Sequence, residues 1–442
     1  MARARVAAGD VTSETSSSTL GHVSAQAELA HPGPRAAGGR ATLARRRVIL
    51  WGGVLLVLSW AVHGWAVVGP GLQTRTGEIK GADYVQFFLL GSLLNDGHAD
   101  RLYDTAAIAA EAKHRIAPQM EFHPARNPYG PQVALVFAPL AAVPFLPSFL
   151  LFSAISALAY SAATWVLWRH APQLERSGAY VVLLAAACPG LLYTLRFGQI
   201  STLTLIAPAL AVAALAADRR FVAGLCLGLL AYKPQLLVVV VPTLVLARDW
   251  RCLGGVLAMS AGELALGWLV AGNGGMQQYV ETLRDLARRP DLVMLYPENA
   301  HSLRGFLRLL GVPTAWATGI TLALIPACAW ALARVWRPAG DSLMQVGALV
   351  TGMLLLSPHL LSYDLLLLVV PIFAMVNWAI AHDGDRRASR VIGLAVLLYL
   401  TPFSSLLARH THLQLSTLIL TAAAGLMIST IWRRAPLDAA AA

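Results

Sequence analysis

The chain has 442 residues, 57% of them hydrophobic and only 13% charged, with 34 basic against 23 acidic side chains and a net charge of +11. The apolar share is well above the globular average and gathers in long runs, which excludes an ordinary soluble domain. The basic excess forms no aromatic-interleaved patch of the kind that binds nucleic acid; it collects between apolar runs, as in the cytoplasmic loops of membrane proteins.

In chain order, residues 1–43 are rich in Ala, Gly, Ser and Arg without periodicity and are read as a disordered cytoplasmic N-terminus. "ARRR" (44–47) then precedes a run, 48–69, long enough to cross about 30 Å of hydrocarbon as a helix. The leader is too long for a signal peptide and no A-x-A site follows, so this first span is expected to stay as an anchor with its basic side in the cytoplasm. A large outer loop, 70–130, comes next. The apolar piece 132–145 is short and Pro-flanked and is expected to be juxtamembrane or re-entrant. Further spans are expected at about 147–168, 178–195 and 200–217. The run 221–247 is interrupted by "YKPQ" (232–235), and a Pro beside a Lys disfavours one continuous helix facing lipid, so it divides into two short spans. A seventh span, 252–271, leads to a second outer loop, 272–312. Five more, at about 314–334, 342–356, 361–380, 391–408 and 413–432, complete twelve, followed by a cytoplasmic tail at 435–442. The expected fold is therefore an all-α polytopic membrane protein, its membrane domain spanning 44–434, since helices satisfy their own backbone in lipid. The four cysteines, Cys188, Cys226, Cys252 and Cys328, show neither metal-ligand spacing nor a disulfide framework and read as small apolar fillers.

This threading puts the strongly basic turns on one side. The other side receives Asp83, "FHPARNPYGP" (122–131), "RFGQ" (196–199), "YKPQ", "PENAHSLRG" (297–305) and "SPHLLSYD" (357–364). Six polar clusters from distant parts of the chain on one face form the pattern of a site. No internal repeat of the transporter kind is visible.

Several of these segments, in this order, are familiar. Asp83 follows the first span on an aromatic segment; then come "NPYGPQVALVFAPLA" (127–141), "GQISTLTLI" (198–206), "YKPQ" leading to "RDWR", "HSLRGFLRLLG" (301–311) and "LLLSPHLLSYDLLLLV" (354–369). Together, over about residues 48–432, they resemble glycosyltransferase family 87, the polyprenol-phosphate-mannose-dependent mannosyltransferases of the GT-C superfamily. The resemblance implies a GT-C-type fold in the inner (plasma) membrane with its site on the outer, periplasmic side. It implies a sugar donor on a polyprenyl phosphate and a first-loop Asp as catalytic base, here Asp83. "FHPARNPYGP" is longer and more polar than the family's Pro-Tyr-Pro-Pro run, and "SPHLLSYD" lacks the usual Trp.

The chemistry needs a base for the acceptor hydroxyl, a cradle for the departing phosphate and a greasy groove for the lipid tail. Asp83 suits the base, although Asp also caps helices. Tyr84, Phe87, Phe88, Gly91 and Leu94 fall on one helical stripe, which predicts a helix lying flat in the interface at the level of the lipid phosphate. Lys233, Arg304 and His359 are candidates for the donor phosphate. Their structural alternatives are a snorkelling lysine, a pair of Arg304 with Glu298, and a capping or packed histidine. Tyr84, Gln199, Tyr232, Gln235 and Asp364 are candidate sugar or acceptor contacts, and His123, Asn127 and Tyr129 are candidates for the acceptor entrance. Asp96 and Asp104 read as turn and cap residues. No Asp-x-Asp pair stands in the first loop, so the sequence does not call for a metal, and no cofactor is expected beyond the donor itself.

The expected activity is transfer of a hexose, mannose by the resemblance, to an outer-leaflet glycolipid or glycan, by an inverting displacement. Two other classes compete: a secondary transporter or flippase of lipid-linked sugars, which would need acids deep within spans, where only Glu263 stands clearly, and a non-catalytic assembly protein.

Overall fold

The computed structural model of the chain describes residues 34–116, 126–288, 297–338 and 340–438. The chain divides into two units, Met1–Arg47 and Val48–Ala442. Helix α1 (Pro34–Val67) begins inside the segment read as a disordered tail. The described residues are helical almost throughout; in place of strands there are two isolated bridges, Gln73 with Ile79 and Ala300 with Leu361.

Six helical stretches among the described residues are long and apolar enough to cross a membrane: Arg46–Val67, Phe145–Arg169, Trp250–Arg288, Thr314–Val335, Asp364–Ala381 and Arg386–Thr411. A pair bent by 42°, Pro172–Ala186 with Pro189–Phe197, makes a seventh when counted as one span. The other five expected spans coincide with shorter apolar helices of 10–17 residues, Ser201–Ala216, Arg220–Tyr232, Pro234–Leu246, Ser342–Leu356 and Leu415–Thr430. The chain is thus an all-helical membrane-embedded protein, and twelve spans are reached only by counting those short helices.

The breaks follow from the sequence. After α1, α2 (Tyr84–Asn95) and α3 (Thr105–Arg115) occupy the first long loop, where Asp104 caps α3 by accepting from the Ala106 and Ala107 amides. Asp96 accepts from Arg115 at 2.6 Å instead. The Pro-flanked apolar piece forms only the short α4 (Gln132–Phe137) and a 3-10 turn, Leu140–Ala142. α5 (Phe145–Arg169), α6 (Gly178–Ala186), α7 (Pro189–Phe197) and α8 (Ser201–Ala216) follow. "YKPQ" splits α9 (Arg220–Gly228) from α10 (Leu237–Leu246) through two 3-10 turns that meet at Lys233. α11 (Trp250–Arg288) breaks at Gly272, the first residue of the expected second outer loop. α12 (Leu303–Leu309) and α13 (Thr314–Val335) lead to α14 (Ser342–Leu356), α15 (Val369–Ala381), α16 (Arg386–Leu400), α17 (Ser404–Thr411) and α18 (Leu415–Asp438).

Two apolar cores hold the second unit. The larger is built on α8, α14 and α15, with α9, α10 and α18 packed around them. The smaller surrounds α2, where Tyr84, Phe87 and Phe88 meet Phe137, Phe145, Phe149 and Phe152. Here the structure differs from expectation. Residues Tyr84, Val85 and Phe87 through Leu93 are all buried, so α2 is enclosed on every side rather than lying flat on one apolar stripe. The reason is its composition: "YVQFFLLGSLLN" has too few polar residues to keep a wet face, and a helix apolar all round is buried.

Candidate active site

Asp83 sits immediately before α2, in helical dihedrals, with φ −82° and ψ −25°. Its side chain does not cap the helix. Instead its backbone N–H donates to the Phe197 carbonyl at 3.0 Å, and its carboxylate Oδ2 accepts from Gln199 Nε2 at 2.8 Å. Gly198 makes this contact possible. It closes α7 in the left-handed region, with φ +69°, and a Cβ there would lie 2.5 Å from Tyr84 Cβ. The end of α7 therefore comes down directly on the start of α2, and the next residue, Gln199, points its amide at Asp83.

The Gln199 amide is oriented from its other end, where the Tyr129 hydroxyl donates to Oε1 in a long contact of 3.5 Å. Tyr129 is itself fixed twice: its amide donates to Asn127 Oδ1 at 3.0 Å, and its carbonyl accepts from the Tyr103 hydroxyl at 2.7 Å. Its ring stacks on Tyr232 at 6.2 Å and stands 5.6 Å from Lys233 Nζ. The Tyr232 hydroxyl is shared with Thr204 Oγ1.

Lys233 is 5% exposed, so the snorkelling alternative fails. Its ammonium donates to Asp364 Oδ1 at 2.9 Å and also faces the Tyr363 ring at 5.6 Å. Asp364 is buried too; it accepts from Ser201 Oγ at 3.3 Å and from the Leu361 amide at 3.4 Å. Arg304, near the start of α12, donates to the Pro358 carbonyl at 2.9 Å and so ties the second long loop to residues 357–364. His301 supports the same junction: it is fully buried and its ring nitrogens meet the hydroxyls of Ser416 at 2.8 Å and Ser362 at 2.9 Å. His359 is half-buried, with its Nδ1 buried and without a hydrogen-bond partner among the described residues.

The electrostatics separate the groups. Burial pushes the Asp83 carboxyl up to about 6; the Gln199 hydrogen bond and the Lys233 charge pull it down, and Asp364 and Glu78 oppose them. Burial lowers His359 to about 4, with Lys233 and Arg304 acting the same way against Asp364, so its ring is neutral at pH 7. Burial opposes the Lys233 charge, but Asp364 and its hydrogen bond outweigh it, and the ammonium is held above the ordinary lysine range. Neutral pH thus leaves an ionised carboxylate, strengthened as a base by its surroundings, in the field of a buried cation.

Of the candidates read from the sequence, Asp83, Gln199, Tyr129, Tyr232, Lys233 and Asp364 are joined in one network. Asn127 supports it from behind. Arg304 and His359 stand next to it, Arg304 on the Pro358 carbonyl and His359 in the field of Asp364, Lys233 and Arg304. Gln235 is half-buried beside Lys233. Tyr84 is not brought in: it is fully buried among phenylalanine rings, with its hydroxyl on Ser148 at 2.5 Å, which makes it a packing residue. His123 lies outside the described residues. Sequence reasoning missed Ser201, His301 and Tyr363. Each lies within a quoted motif, but nothing in a linear motif says which neighbour turns inward. It also missed the partners of Glu263, which accepts from Gln132 Nε2 at 3.2 Å and from the Tyr232 backbone and so pins the "YKPQ" break to α11.

Residues 127–358, just over half of the chain, match the model of glycosyltransferase family 87. No curated protein and no solved structure matches the chain. The matched segment contains Asn127, Tyr129, Gln199, Tyr232, Lys233, Gln235 and Arg304; Asp83, His359 and Asp364 lie outside it and are brought to it by the contacts above.

Proposed function

This chain belongs to glycosyltransferase family 87 and is a membrane-embedded glycosyltransferase, and we propose that it moves a hexose, mannose first among them, from a polyprenyl-phosphate donor to a glycolipid or glycan of the outer leaflet. The observation that carries this reading is the placement of a half-buried carboxylate, Asp83, in one network of contacts with a buried ammonium, Lys233: hydrogen bonds through Gln199 to Tyr129, and the Tyr129 ring against the ammonium. In this reading Asp83 takes the proton from the acceptor hydroxyl as that oxygen attacks the anomeric carbon. The bond to the lipid phosphate breaks, and the phosphate leaves as an anion. With a single base and no covalent enzyme intermediate, the configuration inverts. Lys233, Arg304 and the neutral His359 would receive the phosphate, where fixed charge in a poorly hydrated setting is most effective. Tyr129, Tyr232, Gln235 and Asn127 offer faces and polar groups for sugar hydroxyls. The proposal requires no metal or further cofactor.

In the same reading the protein is a multi-pass protein of the inner (plasma) membrane with twelve spans, a GT-C-type fold, both termini cytoplasmic and the site on the outer side. The basic turns and polar motifs of the sequence support that orientation by the positive-inside rule. The test is direct. Purified enzyme is incubated with radiolabelled polyprenyl-phosphate-mannose and a native lipid extract, beside the glucose-bearing donor. Label moving from the mannosyl donor into a glycolipid or glycan supports the proposal. Label that stays on the donor in every extract, or moves only from the glucosyl donor, overturns the donor assignment.

A further inference from the structure

Lys233 and Asp364 stand 131 residues apart in the chain, yet their side chains meet at 2.9 Å with both almost fully buried. Such a pair is costly to desolvate, and apolar residues of the same volume often pack as well or better. Its retention in the site therefore calls for a reason other than stability. The surroundings supply one. The Lys233 ammonium is held on one side by Asp364 Oδ1, which Ser201 Oγ also meets at 3.3 Å, and it is faced by the rings of Tyr129 and Tyr363, each at 5.6 Å. Tyr129 in turn contacts Gln199, and Gln199 contacts Asp83. The lysine is thus fixed in position by Asp364 and the two rings, while the Tyr129 and Gln199 contacts lead from it to the base.

We infer that Asp364 is a positioning residue: with Ser201 it anchors the Lys233 ammonium at one point among Tyr129 and Tyr363, so that the charge balancing Asp83 comes from a preset ion pair rather than from a mobile lysine. Asp364 touches neither donor nor acceptor in this account. It acts through Lys233, and the inference rests on the reading of Asp83 as the base only for its catalytic consequence. The groups that face Asp83 are Lys233 as a cation, Asp364 and Glu78 as anions, and Gln199, Tyr129 and Tyr363 as neutral polar groups. Removing the two members of the pair must therefore move Asp83 in opposite directions. Loss of Lys233 removes an attraction and makes the carboxylate harder to ionise. Loss of the Asp364 charge removes a repulsion and leaves the cation in place, which makes it easier.

The experiment follows the protonated-carboxyl infrared band of Asp83, identified by its disappearance in Asp83→Asn, as pH is varied in the full-length protein in lipid nanodiscs. Asp364→Asn keeps an acceptor for Lys233 Nζ and should move the midpoint down by about one pH unit; Lys233→Met should move it up by a similar amount, and the double variant should return towards the native midpoint. The acidic limb of kcat/KM for mannosyl transfer should shift in parallel. Asp364→Ala removes the anchor as well as the charge, so the released ammonium balances Asp83 less well and the midpoint should lie above that of Asp364→Asn; equal midpoints in the two variants make Asp364 a charged neighbour and not an anchor, and the inference falls. The comparison of Asp364→Asn with Asp364→Ala decides this if Lys233→Met does not fold. If instead Asp83→Asn transfers sugar normally while the midpoints shift as expected, the base is misassigned and the positioning role stands.

Discussion

At Asp83 the structure replaces one role by another. An aspartate before a helix ordinarily caps it, but this carboxylate turns away from the α2 amides and towards Gln199. Asp83→Asn keeps the size and the acceptor for Gln199 Nε2 while removing the basic oxygen pair. Transfer should fall by about 10²–10⁴-fold, the range for loss of a general base, with donor binding largely kept. Single-turnover assays beside a donor-binding measurement check this; near-native turnover would leave Asp83 as a structural residue. The sign of the pH dependence follows from burial. With the carboxyl raised to about 6, the base is protonated and idle below that pH, so kcat/KM should climb through pH 6 and level off above it. A profile flat from pH 4.5 to 8 would contradict a raised carboxyl acting as base. The same shift opposes stability as pH rises: a carboxyl more easily protonated in the folded state favours folding fully below its ordinary value of 3.8, and that contribution is lost as pH climbs to about 6. The sequence marks Lys233 and Asp83 as unusual, because charge is scarce in this chain. It is silent on Asp364 as the partner of Lys233, since an ion pair across 131 residues leaves no local pattern.

The element that sets the site is the junction of α7 with α8. α7 ends at Gly198 because the chain must turn through left-handed dihedrals while passing within van der Waals contact of Tyr84. Gly198→Ala should cost about 1–2 kcal/mol for the conformation alone, and more for the collision with Tyr84. Because Gln199 follows directly, activity should fall further than stability does. Thermal unfolding in detergent and turnover, measured on the same preparation, separate the two effects; a variant with lowered stability and full activity at low temperature would show that the junction does not aim Gln199. How far this element could be read in advance is uneven. The break at "YKPQ" and the short reach of the 132–145 piece were legible, because Pro and Lys interrupt apolar runs for reasons of hydrogen bonding and charge. The enclosure of α2 was not. A 3.6-residue stripe is visible in a sequence, but burial on the remaining faces comes from Phe137, Phe145, Phe149 and Phe152, whose approach is set by tertiary packing.

For the whole molecule, the proposed orientation puts residues 70–130 and 272–312 on the outer side. In a background without the native cysteines, Asp100→Cys and Arg288→Cys, both at exposed positions, should react with an impermeant thiol reagent on intact cells. Labelling only after lysis would reverse the orientation and move the site to the cytoplasmic face. The apolar runs made the membrane class plain from the sequence, while the count of spans stays divided between six long helices, one bent pair and five short ones, because a 10–17-residue helix crosses only with help from its neighbours. The buried pair also has a consequence for how the chain is made. Synthesis and membrane insertion deliver Lys233 long before Asp364, so for most of the second half of translation the lysine has no counter-charge. A chain halted between the two can pack α8, α9 and α10 only around an uncompensated ammonium, which is strongly destabilising. Truncated products of this length should therefore be unstable in the membrane and open to degradation, and the arrival of residue 364 marks the point in biogenesis after which the centre of the molecule can close.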